Sequence, residues 1–399
     1  MNKALKKYYL IDHKILFLLG YVFYLWIPYW LGAGNAFSDY PGVALFQKYF
    51  QRIAAVKIHS YTLITLSWLP AFFLGHFAFK IITPYKRSLQ LYPATVITHS
   101  VSYIGMLLCG IMVLFVYMSR GAILGSFDNY DVGPRGKLTT LMMVFNFFLL
   151  YQLVSRQKAS IYLTTGTILT SLILLLSGGR LTPLQTFLAY LIYKTSFAER
   201  RWTLSRIAVF AVIGFFTGAL VGMWRVRAGF SLEHAGFSLL AEPLFSWFST
   251  CSFLATNEIP VINFPSNFIT SFINLIPNTI VNVHQFVVPT SGMGFTYVNP
   301  FGADSIWTSL VINFGSVGSF FFMFFTGFLL TMLRHLSENS RFWAVYYILV
   351  CAMLPFEFFR TGFFILNKEL FFNFLFLPLI IGVAMKIMLD MQNTQKTPA

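Results

Sequence analysis

Five arginines and three proton acceptors are the residues of this sequence whose type and placement suit chemistry. Ser177-Gly178-Gly179-Arg180 separates two apolar runs, Arg120 follows Met118-Ser119 at the end of a third, and Arg225 and Arg227 follow Trp224. Arg360 closes the segment Pro355-Phe356-Glu357-Phe358-Phe359-Arg360. A guanidinium is a planar fork of donors that matches phosphate oxygens in pairs. Gathered at helix ends on one face, Arg120, Arg180, Arg225, Arg227 and Arg360 would hold a diphosphate; taken singly, each equally suits anchoring at a membrane interface. Glu242, His284 and Asp304 are the general bases of interest. Glu242 precedes Pro243 at the start of an amphipathic helix from Leu244, where an acid also complements the helix dipole. His284 sits among apolar residues and reads either as a base near neutral pH or as a hydrogen-bonded loop histidine. Glu357 and Arg360, three apart on one helical turn, allow a local ion pair as readily as a catalytic one.

Asp39, Asp128, Asp131, Glu233, His234 and Glu258 complete the polar candidates on the same side. The Asp128-Asn129-Tyr130-Asp131 spacing is too loose for a metal site, and neither metal nor cofactor is expected. Cys109, Cys251 and Cys351 are too far apart to suggest a disulfide framework. Walker, dinucleotide-binding, HExxH and GxSxG motifs are absent, so a substrate would have to bring its own activated group.

The elements that position these residues follow from composition. Of 399 residues, 57% are apolar and 10% charged, against about 25% charged in a soluble domain. The expectation is an all-α, polytopic integral membrane protein. Apolar segments predict ten spans, at Ile15–Ala33, Tyr61–Ile82, Leu91–Met118, Leu138–Val154, Ser160–Ser177, Leu181–Tyr193, Leu204–Trp224, Ile306–Leu333, Phe342–Phe359 and Phe371–Met385. The first reads as an uncleaved span rather than a signal peptide, being longer than a signal core and ending near Trp26, Pro28 and Trp30. Residues 1–399 thus form a single transmembrane domain. The net charge of +15 is spread in ones and twos rather than in a stripe, which argues against nucleic acid.

Sorting the 28 Lys and Arg by side puts 17 with the termini and 11 opposite, so both termini are expected in the cytoplasm. The one long connection, residues 225–305, falls outside. Leu239, Leu240, Leu244, Phe245, Trp247 and Phe248, then Phe268, Phe272, Leu275 and Ile276, form apolar stripes. Prolines at 243, 260, 265, 277, 289 and 300 are expected to break the loop into short amphipathic pieces that cap the helices. Ser160–Tyr193 must cross the bilayer twice in few residues, which would recess Arg180 into the membrane, where a charge faces a polar cavity. Alternatively the second helix runs on to about Ala198 with Lys194 snorkelling, and Arg180 rises to the interface.

The short-looped spans, the Ser-Gly-Gly-Arg turn, the large outer loop, Asn299-Pro300-Phe301-Gly302 and Asn313-Phe314-Gly315-Ser316-Val317-Gly318 together resemble bacterial oligosaccharide repeat-unit polymerases of the Wzy type, over roughly residues 90–380. Paired arginine-rich loops described for some members are not found here; only the loop from Arg225 is long. The resemblance implies a GT-C-like membrane glycosyltransferase at the periplasmic face of the inner membrane. It would transfer a growing glycan from undecaprenyl diphosphate to a new lipid-linked unit, as in O-antigen or capsule synthesis. Implied partners are lipid-linked oligosaccharides, membrane lipid and a chain-length regulator protein. A glycan ligase and a lipid-linked oligosaccharide flippase or transporter are the alternatives.

Overall fold

The computed structural model describes residues 11–40, 42–83, 97–118, 132–156, 158–177, 179–226, 231–276, 281–300 and 303–395. Among them the chain is all-helical, with no strand. Five helices are long and apolar enough to cross a membrane: His13–Ala33, Ala55–Ile82, Gly136–Ser155, Ile306–Ser337 and Phe363–Met385. Tyr103–Met118, Ile161–Leu176, Leu204–Leu220 and Arg341–Met353 are apolar but shorter.

In chain order we label α1 His13–Ala33, with a π-helical turn at Val22–Trp26, α2 Val43–Gln51, α3 Ala55–Ile82, α4 Ile97–Met118, α5 Val132–Arg156 and α6 Ile161–Leu176. Then follow α7 Leu181–Ile192, α8 Leu204–Val226, α9 Leu232–Thr256, α10 Ser266–Ser271 and α11 Ile306–Ser337. The chain ends with α12 Arg341–Met353, α13 Glu357–Arg360, α14 Phe363–Asn367, a π-helical stretch Lys368–Phe376, and α15 Leu377–Gln395.

The most extensive packing is between α3 and α11. Small residues permit it: a Cβ on Gly75 would lie 1.9 Å from the Phe324 carbonyl oxygen, and one on Gly327 2.0 Å from that of Phe72. Such close backbone approach is how helices associate where lipid is as apolar as their side chains. Trp68 on α3 donates to the Ser319 hydroxyl on α11 at 3.0 Å. The outward sides of both helices stay apolar, with Leu63, Leu66, Leu74, Phe77, Phe321 and Phe325 exposed. At the other end of the pair a buried polar chain joins four helices. His13 Nδ1 lies 2.9 Å from the Tyr347 hydroxyl, His76 Nδ1 lies 2.7 Å from that of Thr331, and Asp12 pairs with Arg334 at 3.2 Å.

Three expectations are corrected. Pro243 does not break the long connection: α9 runs through it for 25 residues. Leu244, Trp247, Phe248, Cys251 and Phe253 are buried along that helix. Their packing outweighs the roughly 3 kcal/mol that an interior proline costs. Glu242 therefore lies mid-helix, not at a helix start. Second, the run Phe342–Phe359 is not one span; α12 stops at Met353, and Glu357 and Arg360 sit on the short α13. Third, the run after Arg180 does not end at Tyr193 but continues as a π turn to Phe197, capped at Ala198. Lys194 there lies 5.4 Å from the Tyr190 ring, matching the longer of the two readings of this helix.

The motif Asn313–Gly318 is a break inside α11. Gly315 takes φ 72°, ψ −178°, a left-handed backbone that only glycine adopts cheaply. The groups freed by the break find partners in the preceding connection. Ser316 and Val317 donate to the carbonyls of Pro260 (2.9 Å) and Val261 (3.1 Å). The Asn263 amide donates to the Ile312 carbonyl at 2.6 Å, and Asn313 Oδ1 accepts from the Phe268 N–H at 2.8 Å. Residues 260–268 are thereby locked onto the broken helix.

Candidate functional site

Arg180 ends the turn before α7 and is half-buried. Its Nη1 donates to the Ser238 carbonyl at 2.7 Å and lies 3.3 Å from the Ser238 hydroxyl. No carboxylate stands within ion-pair distance of it among the described residues. One turn along α9 from Ser238, Glu242 pairs through Oε1 with Nε of Arg360. Arg360 Nη1 lies 4.0 Å from Glu357 Oε1. Ser238 and Glu242 lie one turn apart on α9, about 6 Å of rise, so the two guanidiniums engage the same face of that helix. The buried Tyr24 hydroxyl of α1 lies within electrostatic reach of Glu242, Arg360, Glu357 and Arg180, so two carboxylates and two guanidiniums surround one tyrosine.

This group is built from four separate parts of the chain. The Ser-Gly-Gly-Arg turn presents Arg180 because Gly179 folds back to donate to the Leu174 carbonyl at 2.8 Å, closing α6. The long α9, continuous through Pro243, carries Ser238 and Glu242 on one face. α13 carries Glu357 and Arg360, and α1 brings Tyr24.

Asp304 forms the second part. It accepts from the Ser305 N–H at 2.9 Å and the Ser309 hydroxyl at 3.3 Å, with the Tyr297 hydroxyl 3.4 Å from Oδ2. Burial pushes its carboxyl up to about 6, against the opposing pull of those three donors. It lines an open cleft of about 380 Å³ with Asn267, Pro289, Thr290, Gly362 and Phe363. A Cβ on Gly362 would lie 2.9 Å from Asp304 Oδ2, so the carboxylate touches backbone two residues after Arg360. Two residues span at most about 7 Å.

No protein-family model, curated protein or solved structure matches the chain.

Of the residues singled out in the sequence, the structure brings together Arg180, Glu242 and Arg360, while Asp304 contacts the chain at Gly362, two residues after Arg360. It also changes their roles: Glu242 is bound to Arg360 and is not a free base. Arg225 lies in the last turn of α8 and His284 in a 3-10 turn, His284–Phe286, with only their backbones described. Arg120, Arg227, Asp128 and Asp131 lie outside the described residues. Glu258 pairs with Lys57 at 2.8 Å, and the Ser231 hydroxyl caps α9 at the His234 N–H at 3.0 Å, so both serve local structure.

Several members were missed in the sequence. Tyr24, Ser238 and Tyr297 carry no local signal, because an aromatic or a serine in an apolar run is ordinary. Glu369 did carry one: a carboxylate four residues before Asn373, just ahead of the apolar run Phe371–Met385. It is buried, beside Gln185 and in reach of Glu357 and Arg360.

Proposed function

We propose that this protein is a membrane glycosyltransferase that polymerises lipid-linked oligosaccharide repeat units. Arg180 carries the reading: a half-buried guanidinium with no carboxylate partner among the described residues, on the same face of α9 as a second guanidinium. Two such forks on one helix face suit the oxygens of one diphosphate.

In this reading Arg180 and Arg360 hold the diphosphate of the donor lipid. The acceptor sugar enters the cleft beside Asp304. Its hydroxyl oxygen bonds to the anomeric carbon as the bond from that carbon to the diphosphate oxygen breaks. Asp304 takes the hydroxyl proton, and polyprenyl diphosphate leaves with the bonding pair, its charge met by the guanidiniums. Thr290 and Asn267 offer hydrogen bonds to sugar hydroxyls at the cleft wall. Glu242 and Glu357 hold the Arg360 guanidinium in place rather than moving protons. The apolar helices would house the polyprenyl tails, within a ten-span topology with both termini cytoplasmic in a bacterial inner membrane.

The test is the glycan ladder made by cells carrying Arg180→Ala and Asp304→Asn at wild-type membrane levels. Loss of long chains with single units retained supports the reading. A normal ladder in both overturns it, and loss of single units as well points to a ligase.

A transporter is the second reading, favoured by one observation, the break in α11 at Gly315. Interrupted helices near the middle of the membrane build substrate sites in carriers. Flux of lipid-linked units by the purified protein, without polymer, distinguishes it.

A further inference from the structure

Tyr297 ties Asp304 to a second residue of its cleft. The tyrosine hydroxyl lies 2.8 Å from that of Thr290 and 3.4 Å from Asp304 Oδ2, and Thr290 and Asp304 both line the cleft. Thr290 is held in place through its neighbours. The Val288 N–H donates to Thr270 Oγ1 at 3.0 Å and the Val288 carbonyl accepts from the Asn267 amide at 2.8 Å, which pins this stretch to α10. Pro289 restricts the backbone between them.

Hydrogen-bond counting gives the Thr290–Tyr297–Asp304 chain a direction. An ionised carboxylate only accepts, and a hydroxyl has one proton to donate. Among the described residues the groups acting on Asp304 are the Ser305 N–H and the Ser309 and Tyr297 hydroxyls, with no charged side chain. α10 brings Asn267 and α14 brings Phe363 to the cleft, and neither titrates. The Tyr297 proton is therefore spent on Asp304. The Asn299 side chain and the Thr290 hydroxyl act on the Tyr297 oxygen, so the Thr290 proton points to Tyr297. The opposite order, Tyr297 donating to Thr290, would take a donor from the carboxylate, and hydrogen bonds to a charged group are roughly twice as strong as neutral ones. What Thr290 turns to the cleft is lone pairs alone.

Three donors leave the carboxylate one of its roughly four acceptor positions for an attacking hydroxyl. Thr290 and Asp304 stand two hydrogen bonds apart, a gap that adjacent hydroxyls of one sugar ring bridge, and a cleft of about 380 Å³ has room for such a ring.

We propose that Thr290, oriented by Tyr297, is a specificity-determining residue: it accepts a hydrogen bond from the hydroxyl next to the attacking one, so the acceptor sugar carries a free vicinal pair. This rests on the polymerase reading given above, with Asp304 as base. Tyr297 is a positioning residue that acts through Thr290 and Asp304. Sugars lacking a donor at the neighbouring position are poor acceptors.

The experiment measures kcat/KM for glycan transfer by the full-length protein in liposomes, from the cell's own lipid-linked repeat unit onto a labelled acceptor unit. The acceptor is either native or has each hydroxyl next to the attacking one replaced in turn by hydrogen or fluorine. Fluorine keeps the size and cannot donate. For the wild type, both replacements at one position should cost roughly tenfold, the worth of one lost hydrogen bond. Thr290→Val should lose about that factor with the native acceptor and no longer distinguish the three, and Thr290→Ser should keep the discrimination. Tyr297→Phe takes a donor from Asp304, so the acid limb of the rate should move above about pH 6. A wild type that uses all acceptors equally, discrimination that survives in Thr290→Val, or a limb that stays at about pH 6 in Tyr297→Phe overturns the proposal. No transfer by the wild type onto the native acceptor overturns the polymerase reading itself and this proposal with it.

Discussion

In the proposed reaction, Asp304 and the two arginines would divide the work between proton and phosphate. Because burial raises the Asp304 carboxyl from 3.8 to about 6, it is a base only above that value. Polymerisation measured against pH should lose rate below about pH 6, and Asp304→Asn should cost about 10²–10⁴-fold with the limb abolished. For stability the sign is opposite: an acid raised in the fold contributes fully below about 4, and that contribution is lost as pH rises through about 6. The arginines differ in kind. Arg180→Ala removes two hydrogen bonds to Ser238 and should leave protein in the membrane while ending polymer. Arg180→Lys should also be poor, since an ammonium cannot replace a planar fork. Arg360→Ala strands Glu242 and Glu357 without their cation, a loss of about 3–5 kcal/mol, and should lower the amount of folded protein on a blot. Arginines at the ends of apolar runs were legible in the sequence because charge is costly there. That Glu242 is committed to Arg360 was not, since their 118-residue separation carries no pattern.

At the scale of elements, two helix features set where these residues stand. The α3–α11 contact needs Gly75 and Gly327, and Gly327→Leu would push a side chain into the Phe72 backbone. A loss of about 1–3 kcal/mol is expected from overpacking of this kind, seen as a lower Tm in detergent. The break in α11 needs Gly315, where a Cβ would also lie 2.5 Å from the Val261 carbonyl oxygen. Gly315→Ala should destabilise by about 1–3 kcal/mol and free the 260–268 segment, read as faster amide exchange there. The run of apolar residues from Ile306 was legible as a helix, but its interruption was not, because Gly315 is one glycine among several and its partners lie some fifty residues earlier. Pro243 misled in the other direction: local backbone chemistry predicted a break, and the burial of Leu244, Trp247 and Phe248 overrode it.

Across the whole molecule, the low charge and apolar runs were enough to read an all-helical chain with helices fit to cross a membrane. Five helices meet that measure outright. Ile161–Leu176, at 16 residues and so about 24 Å, falls short of a roughly 30 Å hydrocarbon core. Short helices of this kind are where counting apolar residues fails, since their ends are settled by neighbours. A reporter fused after Arg227 should read as external, and one after Arg201 as cytoplasmic; the reverse pattern would place the arginine site on the wrong face. The most direct test of the central claim is reconstitution of the purified chain in liposomes with a lipid-linked repeat unit. The account predicts a ladder of longer lipid-linked glycans, with release of polyprenyl diphosphate, lost in Asp304→Asn and Arg180→Ala. Units that stay single with the wild-type protein, or a ladder that persists in both variants, would contradict it.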